Sequence, residues 1–176
     1  MNPLQPAKHL IVETEIYSSL PEVMKLSVNG LKEVCQSMLG ICLEPLGPVT
    51  PFVPTGLESG SCISLTRPGK SWNLALFGTT ASCKSLARAL LSMAPEENIG
   101  NEELADALGE ILNMIAGITK RKAPPEEAQA IQLGLPLFMT GTDCFRYLSK
   151  GITVVCQRVA GPELDMEVII VWQQGQ

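Results

Sequence analysis

Histidine is almost missing from this chain: His9, near the N-terminus, is the only one among 176 residues. A Ser–His–Asp arrangement would have to recruit it, and no Gly-x-Ser-x-Gly elbow is present to serve such a triad. The six cysteines, at 35, 42, 62, 83, 144 and 156, form no Cys-x-x-Cys pair. Tetrahedral zinc needs clustered Cys or His ligands, so no metal site is expected, and the cysteines read as small buried hydrophobes of a reducing compartment. Neither Gly-x-Gly-x-x-Gly nor a P-loop occurs, which removes the usual nucleotide cradles. No apolar run approaches the roughly 18 residues a membrane span requires. The opening Met1-Asn2-Pro3-Leu4-Gln5-Pro6 lacks the charged start and apolar stretch of a secretory signal. A cytoplasmic protein with no membrane partner is expected. Basic residues are also few. With 13 Lys plus Arg and a net charge of −5, the chain is a poor holder of a phosphate backbone, so no nucleic-acid partner is expected. Lys120-Arg121-Lys122 reads instead as a helix C-terminus, where cations favour the dipole.

What is present is a globular composition, 45% apolar and 18% charged, with no low-complexity segment or long linker. A single domain over residues 1–176 is expected, with 1–21 as an N-terminal extension. Residues to about Ala7 read as a loose tail and Leu10 to Tyr17 as a strand, followed by a helix start at Ser18, Ser19 and Pro21. Met24, Leu31, Val34, Met38 and Ile41 then recur at helical spacing, and Gly40 can end that helix. Glu44 to Gly60, rich in Pro and Gly, reads as a loop. Ser61 to Thr66 and Ser71 to Phe77 read as strands around Arg67-Pro68-Gly69-Lys70. Thr79 or Thr80 could cap a helix reaching about Met93, with Cys83, Leu86, Leu90 and Leu91 inward. Asn101 is a plausible cap for the next helix, which Glu102 and Glu103 favour and Pro124-Pro125 stops. Leu135 to Met139 reads as a short extended piece, and Ile152 to Val159 and Met166 to Trp172 as a closing strand pair joined through Gly161-Pro162.

Both halves therefore run helix, loop, strand, turn, strand. Asn29, Glu33, Gln36 and Gly40 lie 77 residues before Asp106, Glu110, Asn113 and Gly117, respectively. Leu31, Val34, Met38 and Ile41 keep the same offset to Leu108, Ile111, Ile115 and Ile118. Apolar stripes alone would recur in any amphipathic helix; matching polar identities argue for duplication. The expected fold is α/β (α+β): two pseudo-symmetric helix–strand–strand repeats, about 22–80 and 99–173, forming one sheet with helices packed on a face. An open edge of that sheet would be available to a second copy, giving a homodimer.

At about 100° per residue, Asp106, Glu110, Asn113 and Gly117 share a narrow stripe opposite Leu104, Leu108, Ile111 and Ile115. Most such stripes are only solvated faces. Here, however, Asn is a mediocre helix former and Gly costs roughly 1 kcal/mol against Ala, so plain solubility would choose neither. A Gly one turn beyond the Asn leaves bare backbone that another protein could approach.

The string Asp106-Ala107-Leu108-Gly109-Glu110-Ile111-Leu112-Asn113-Met114-Ile115-Ala116-Gly117, followed downstream by Leu133-Gly134-Leu135-Pro136-Leu137-Phe138-Met139-Thr140-Gly141, resembles the CheC/CheX/FliY phosphatases of bacterial chemotaxis, CheX in particular. The resemblance implies that fold and, as substrate, a CheY-type receiver domain phosphorylated on aspartate. It implies that Glu110 contacts a lysine of the receiver and that Asn113 orients the attacking water. Asp106, Gly117 and Lys120 would complete the docking surface. The chain would need no cofactor of its own, Mg²⁺ being carried by the receiver. Ile118 stands where relatives often have Asn, while Lys120 keeps the basic position two residues later. Glu33 and Gln36 would form a degenerate second site, since Gln is one methylene longer than Asn. The same fold also serves non-catalytic receiver-binding and flagellar-switch modules.

Overall fold

The computed structural model describes residues 8–53, 59–140, 153–162 and 164–173. Its elements run α1 (Lys8–Val34) with a π-helical turn (Cys35–Leu39), β1 (Glu44–Pro51), β2 (Ser59–Arg67), β3 (Lys70–Gly78), α2 (Thr80–Leu91), α3 (Asn101–Lys122), α4 (Pro125–Ala130), β4 (Gln132–Leu133), β5 (Leu137–Thr140), β6 (Thr153–Gly161) and β7 (Leu164–Gln173). The tail to Ala7, Gly141, Cys144 and Ile152 lie outside the described residues, as does the side chain of Trp172.

All pairings are antiparallel and build one seven-stranded sheet, β1-β6-β7-β3-β2-β4, with β5 also on the outer side of β2. Exchanging the halves, so that β1, β2 and β3 trade places with β5, β6 and β7, leaves this order unchanged. The hairpins correspond closely. Ser59–Arg67 and Thr153–Gly161 begin and end 94 residues apart, and Ala75 pairs with Ile169 at that same separation. Each hairpin turns through two residues led by proline, Pro68 and Pro162, and Gly69 supplies the left-handed φ of 74° that closes the first. The helices register at 77 residues and the hairpins at 94, so the second half carries a longer stretch, including α4, between its helix and its hairpin.

The helices cover one sheet face. Their buried residues join Ile63, Leu65, Trp72, Leu74, Leu76, Val159, Met166, Val168 and Ile170 in one core. A smaller cluster on the opposite face comprises Cys62, Ala75, Phe77, Cys156, Ile169 and Val171, with Phe52, Met139 and Val154 against it. Strand alternation produces both sets from the same strands.

Four readings are corrected. Leu10 to Tyr17 is helix, continuous through Pro21, rather than strand followed by a new helix start. Its β-branched residues are only a weak local preference; a strand needs an edge to pair with, whereas a helix meets its own backbone bonds. Glu44 to Pro51, read as loop, is edge strand β1, exposed along its whole length. Pro45, Pro48 and Pro51 are tolerated because only one side of an edge strand is paired. The register shifts between Leu46 and Thr50 around Gly47 (φ 70°), and Gln157 Nε2 donates to the carbonyls of Leu46 (3.2 Å) and Gly47 (3.1 Å). Finally, Met38 is 58% exposed, not inward. The π-helical turn rotates it off the α-helical stripe before Gly40 (φ 68°) ends the helix. Leu91, in the last turn of α2, is likewise exposed rather than inward.

Candidate functional site

Helix α3 is built to present one face. Gly100, one residue before the expected cap Asn101, takes the cap position, and its N–H donates to the Glu103 carboxylate at 2.9 Å. At the other end Lys120, Arg121 and Lys122 fill the last turn before Pro124 and Pro125 divert the chain. Leu104, Ala107, Leu108, Ile111, Leu112, Ile115 and Ala116 are buried against the core. The reverse side carries Asp106 and Glu110, both exposed, and Asn113, Gly117 and Lys120, half-buried.

Close packing fixes this face in place. Gly30 of α1 abuts Ile115 of α3; a Cβ on Gly30 would lie 3.3 Å from the Ile115 carbonyl oxygen. One turn away, the Thr119 hydroxyl donates to the Ile115 carbonyl at 2.8 Å and lies 3.4 Å from the buried Ser27 hydroxyl. On the far flank Pro136 packs against Gly109, where an added Cβ would sit 3.4 Å from the proline Cβ. The Leu-Pro segment thereby reaches the residue preceding Glu110. Around Gly117 a Cβ would meet no heavy atom within 4 Å, so the bare backbone is open.

Chemically, the stripe offers a carboxylate and a carboxamide one helical turn apart. The amide can both donate and accept hydrogen bonds, so it can hold a water molecule in a chosen direction. Among the described residues, no three His, Cys, Asp or Glu side chains gather as metal ligands would. A hollow of about 470 Å³, lined by Ile41, Arg88, Met93 and Leu164 among others, includes none of the stripe's residues. The stripe lies on the outer side of α3, away from the buried core, where another macromolecule can meet it.

Glu33 and Gln36 do not reproduce it. Lys122 donates to the Glu33 carboxylate and holds its carboxyl below the usual range. Gln36 is exposed but sits in the π-helical turn, so the pair does not share the regular one-turn spacing of Glu110 and Asn113. The Lys122–Glu33 pair and the Pro136–Gly109 contact were invisible to sequence reasoning, because each joins segments far apart in the chain. Away from α3, on the sheet face without helices, Arg158 Nε donates to Asp165 at 2.7 Å beside Glu167.

The family profile described as "Chemotaxis phosphatase CheX" matches residues 60–159. The chain belongs to the CheX family. No curated protein sequence matches it. Among solved structures, a chemotaxis protein CheX from Desulfovibrio desulfuricans is similar with a TM-score of 0.68 at 17% identity, over 86% of this chain and 99% of that one. A CheX–CheY–BeF3–Mg²⁺ complex from Borrelia burgdorferi matches with a TM-score of 0.64 at 15% identity, over 86% and 97%. FliY from Thermotoga maritima matches with a TM-score of 0.61 at 13% identity, over 97% and 91%. At these identities the structures establish a shared CheX-like fold: a mixed α+β domain with one antiparallel sheet. The family is one of chemotaxis phosphatases, which places this CheX-family chain in that activity class at family level.

Proposed function

We propose that this CheX-family protein hydrolyses the aspartyl phosphate of a CheY-type receiver domain, using the α3 face. The observation that carries the reading is the co-facing pair Glu110 and Asn113 on a helix whose back is buried, with open backbone at Gly117. In this reading Glu110 pairs with a lysine of the receiver and sets the docking register. Asn113 enters the receiver's site and aligns a water molecule with the acyl phosphate. An acyl phosphate is already reactive, so positioning and charge stabilisation supply most of what catalysis requires. Neither a histidine nor a cysteine nucleophile is needed. Asp106 and Lys120 flank the pair, and Mg²⁺ comes with the receiver; the related Borrelia complex contains both CheY and Mg²⁺.

The Glu33–Gln36 face contributes no second site, because Lys122 occupies its carboxylate and the π-helical turn displaces its amide. The division into repeats at about 22–80 and 99–173 is proposed on the matching hairpins. Cytoplasmic location and homodimerisation through an open sheet edge complete the reading.

The test is the decay of a phosphorylated CheY-type receiver from the same genome, with Mg²⁺, in the presence and absence of the protein. Asn113→Ala should bind the receiver and fold normally while losing the acceleration, by about 10²-fold or more. Equal acceleration by wild type and Asn113→Ala would falsify the role of Asn113. Binding without acceleration by the wild-type protein would favour a docking module instead of an enzyme.

A further inference from the structure

The hollow of about 470 Å³ beside α2 is built from segments that are each held in place. Ser85, Arg88 and Ala89 line it at positions i, i+3 and i+4, one face of the helix. Past the helix end the Met93 N–H donates to the Arg88 carbonyl at 3.0 Å, and the Ala94 N–H donates to the Glu97 carboxylate at 3.0 Å. Met93 and Pro95 thereby form a second, fixed wall. Ile41, Pro162 and Leu164 complete the lining. Their segments meet at Gly161, where an added Cβ would lie 2.5 Å from the Cys42 carbonyl oxygen and 2.8 Å from Leu43 Cδ2. Glycine alone permits that approach, so the β6–β7 turn is seated against the residues that follow Ile41.

Arg88 is the informative member of this lining. Its Nε donates to the Glu97 carbonyl at 2.8 Å, which restrains the guanidinium, while the Glu97 carboxylate turns to the Ala94 N–H instead. Among the described residues no carboxylate pairs with Arg88, although Arg88 is half-buried. The Ser85 hydroxyl, one turn earlier, likewise has no hydrogen-bond partner among the described residues. A restrained guanidinium presents its terminal N–H groups as a planar fork that matches a carboxylate. The apolar side chains around it favour an apolar body over a strongly hydrated ion. The volume is that of an ordinary small-molecule site, about 300–1,000 Å³.

We propose that this hollow binds a small monocarboxylate with an apolar body. The carboxylate sits on the Arg88 guanidinium and the Ser85 hydroxyl, and the body lies against Ala89, Met93 and Leu164. The hollow shares no residue with the α3 stripe, so the proposal stands whether or not Glu110 and Asn113 serve a receiver.

The experiment titrates octanoate into the full chain and follows backbone amide chemical shifts by NMR, with octanamide and inorganic phosphate in parallel. Octanoate should bind with a Kd on the order of 1 mM and shift the amides of Ser85, Arg88, Ala89 and Met93. Octanamide lacks the charge and phosphate lacks the apolar body, so each should bind about tenfold more weakly or worse. Arg88→Gln keeps a donor for the Glu97 carbonyl but loses the charge, and should weaken octanoate about tenfold. Ala89→Leu fills the hollow from a helical position and should abolish the shifts while thermal stability holds. Equal binding of octanoate and octanamide would overturn the proposal, as would phosphate binding as tightly as octanoate. Octanoate shifts that persist in Ala89→Leu, or none in the wild type up to about 10 mM, would overturn it as well.

Discussion

Replacing Gly117 by alanine should move the stability of the fold and the recognition of its partner in opposite directions. Gly117 sits inside α3, where glycine costs roughly 1 kcal/mol relative to alanine because its backbone loses more freedom on folding. A Cβ there meets no heavy atom within 4 Å, so the methyl group brings no clash with its own chain. In a domain of this size about 1 kcal/mol corresponds to about 2–4 °C in Tm, and Gly117→Ala should melt higher by that amount. The same methyl projects from the stripe that carries Glu110 and Asn113. If the receiver comes into contact with the bare backbone, the added atom pushes it outward by about an ångström, and such a misplacement can cost about 10²-fold in rate. Thermal unfolding followed by circular dichroism and receiver dephosphorylation under multiple turnover measure the two effects separately. The expected result is a higher Tm with kcat/KM lower by about tenfold or more. A higher Tm with unchanged kcat/KM would place Gly117 outside the interface. A lower Tm would refute the open environment from which the stability gain is argued.

Two further predictions concern groups away from α3. One carboxylate oxygen of Glu167 is buried without a hydrogen-bond partner among the described residues, and burial pushes its carboxyl up, with the Arg158 cation opposing. A raised carboxyl favours the fold when protonated, and that contribution is lost as pH rises through its folded-state value. Glu167→Gln should therefore stabilise at pH 7, by less than about 1 kcal/mol given solvent screening, and the gain should fade below about pH 4; equal effects in urea unfolding at both pH values would refute the cause. Burial also pushes the Cys35 and Cys62 thiols up to about 12 and about 11, while Cys42 is exposed. A thiol reagent at pH 8 should label Cys42 well before Cys35 or Cys62, as peptide mapping by mass spectrometry would show; comparable early labelling of the buried pair would contradict their packing.

The helix that carries the candidate site was legible for a local reason. Gly100 to Pro125 contains its own start, stripe and stop, so the helix and its Glu110–Asn113 face follow from residues within a few turns of one another. The β2–β3 hairpin was legible likewise, because Pro68 and Gly69 sit between two strand-like runs and the turn they make is local. The tail of α1 and the strand β1 were not. Leu10 to Tyr17 has strand-like composition, and Glu44 to Pro51 has loop-like composition. What each becomes depends on whether a sheet edge is free to pair with it, and in β1 that edge is supplied by β6, more than a hundred residues later in the chain.

Local order in the sequence determined which segments are helices with a buried back, where the hairpins turn, and which polar side chains share the outer face of α3. Tertiary structure decided the rest. The sheet order sets β3 beside β7 about a pseudo-twofold axis, the Gly30–Ile115 and Gly109–Pro136 contacts hold α3 between α1 and the segment leading into β5, and Lys122 pairs with Glu33 across 89 residues of sequence. Helical periodicity and turn chemistry act over a few residues, so one segment reveals them. Edge pairing, close backbone approach and long-range ion pairs each need a partner that arrives only when the chain has folded.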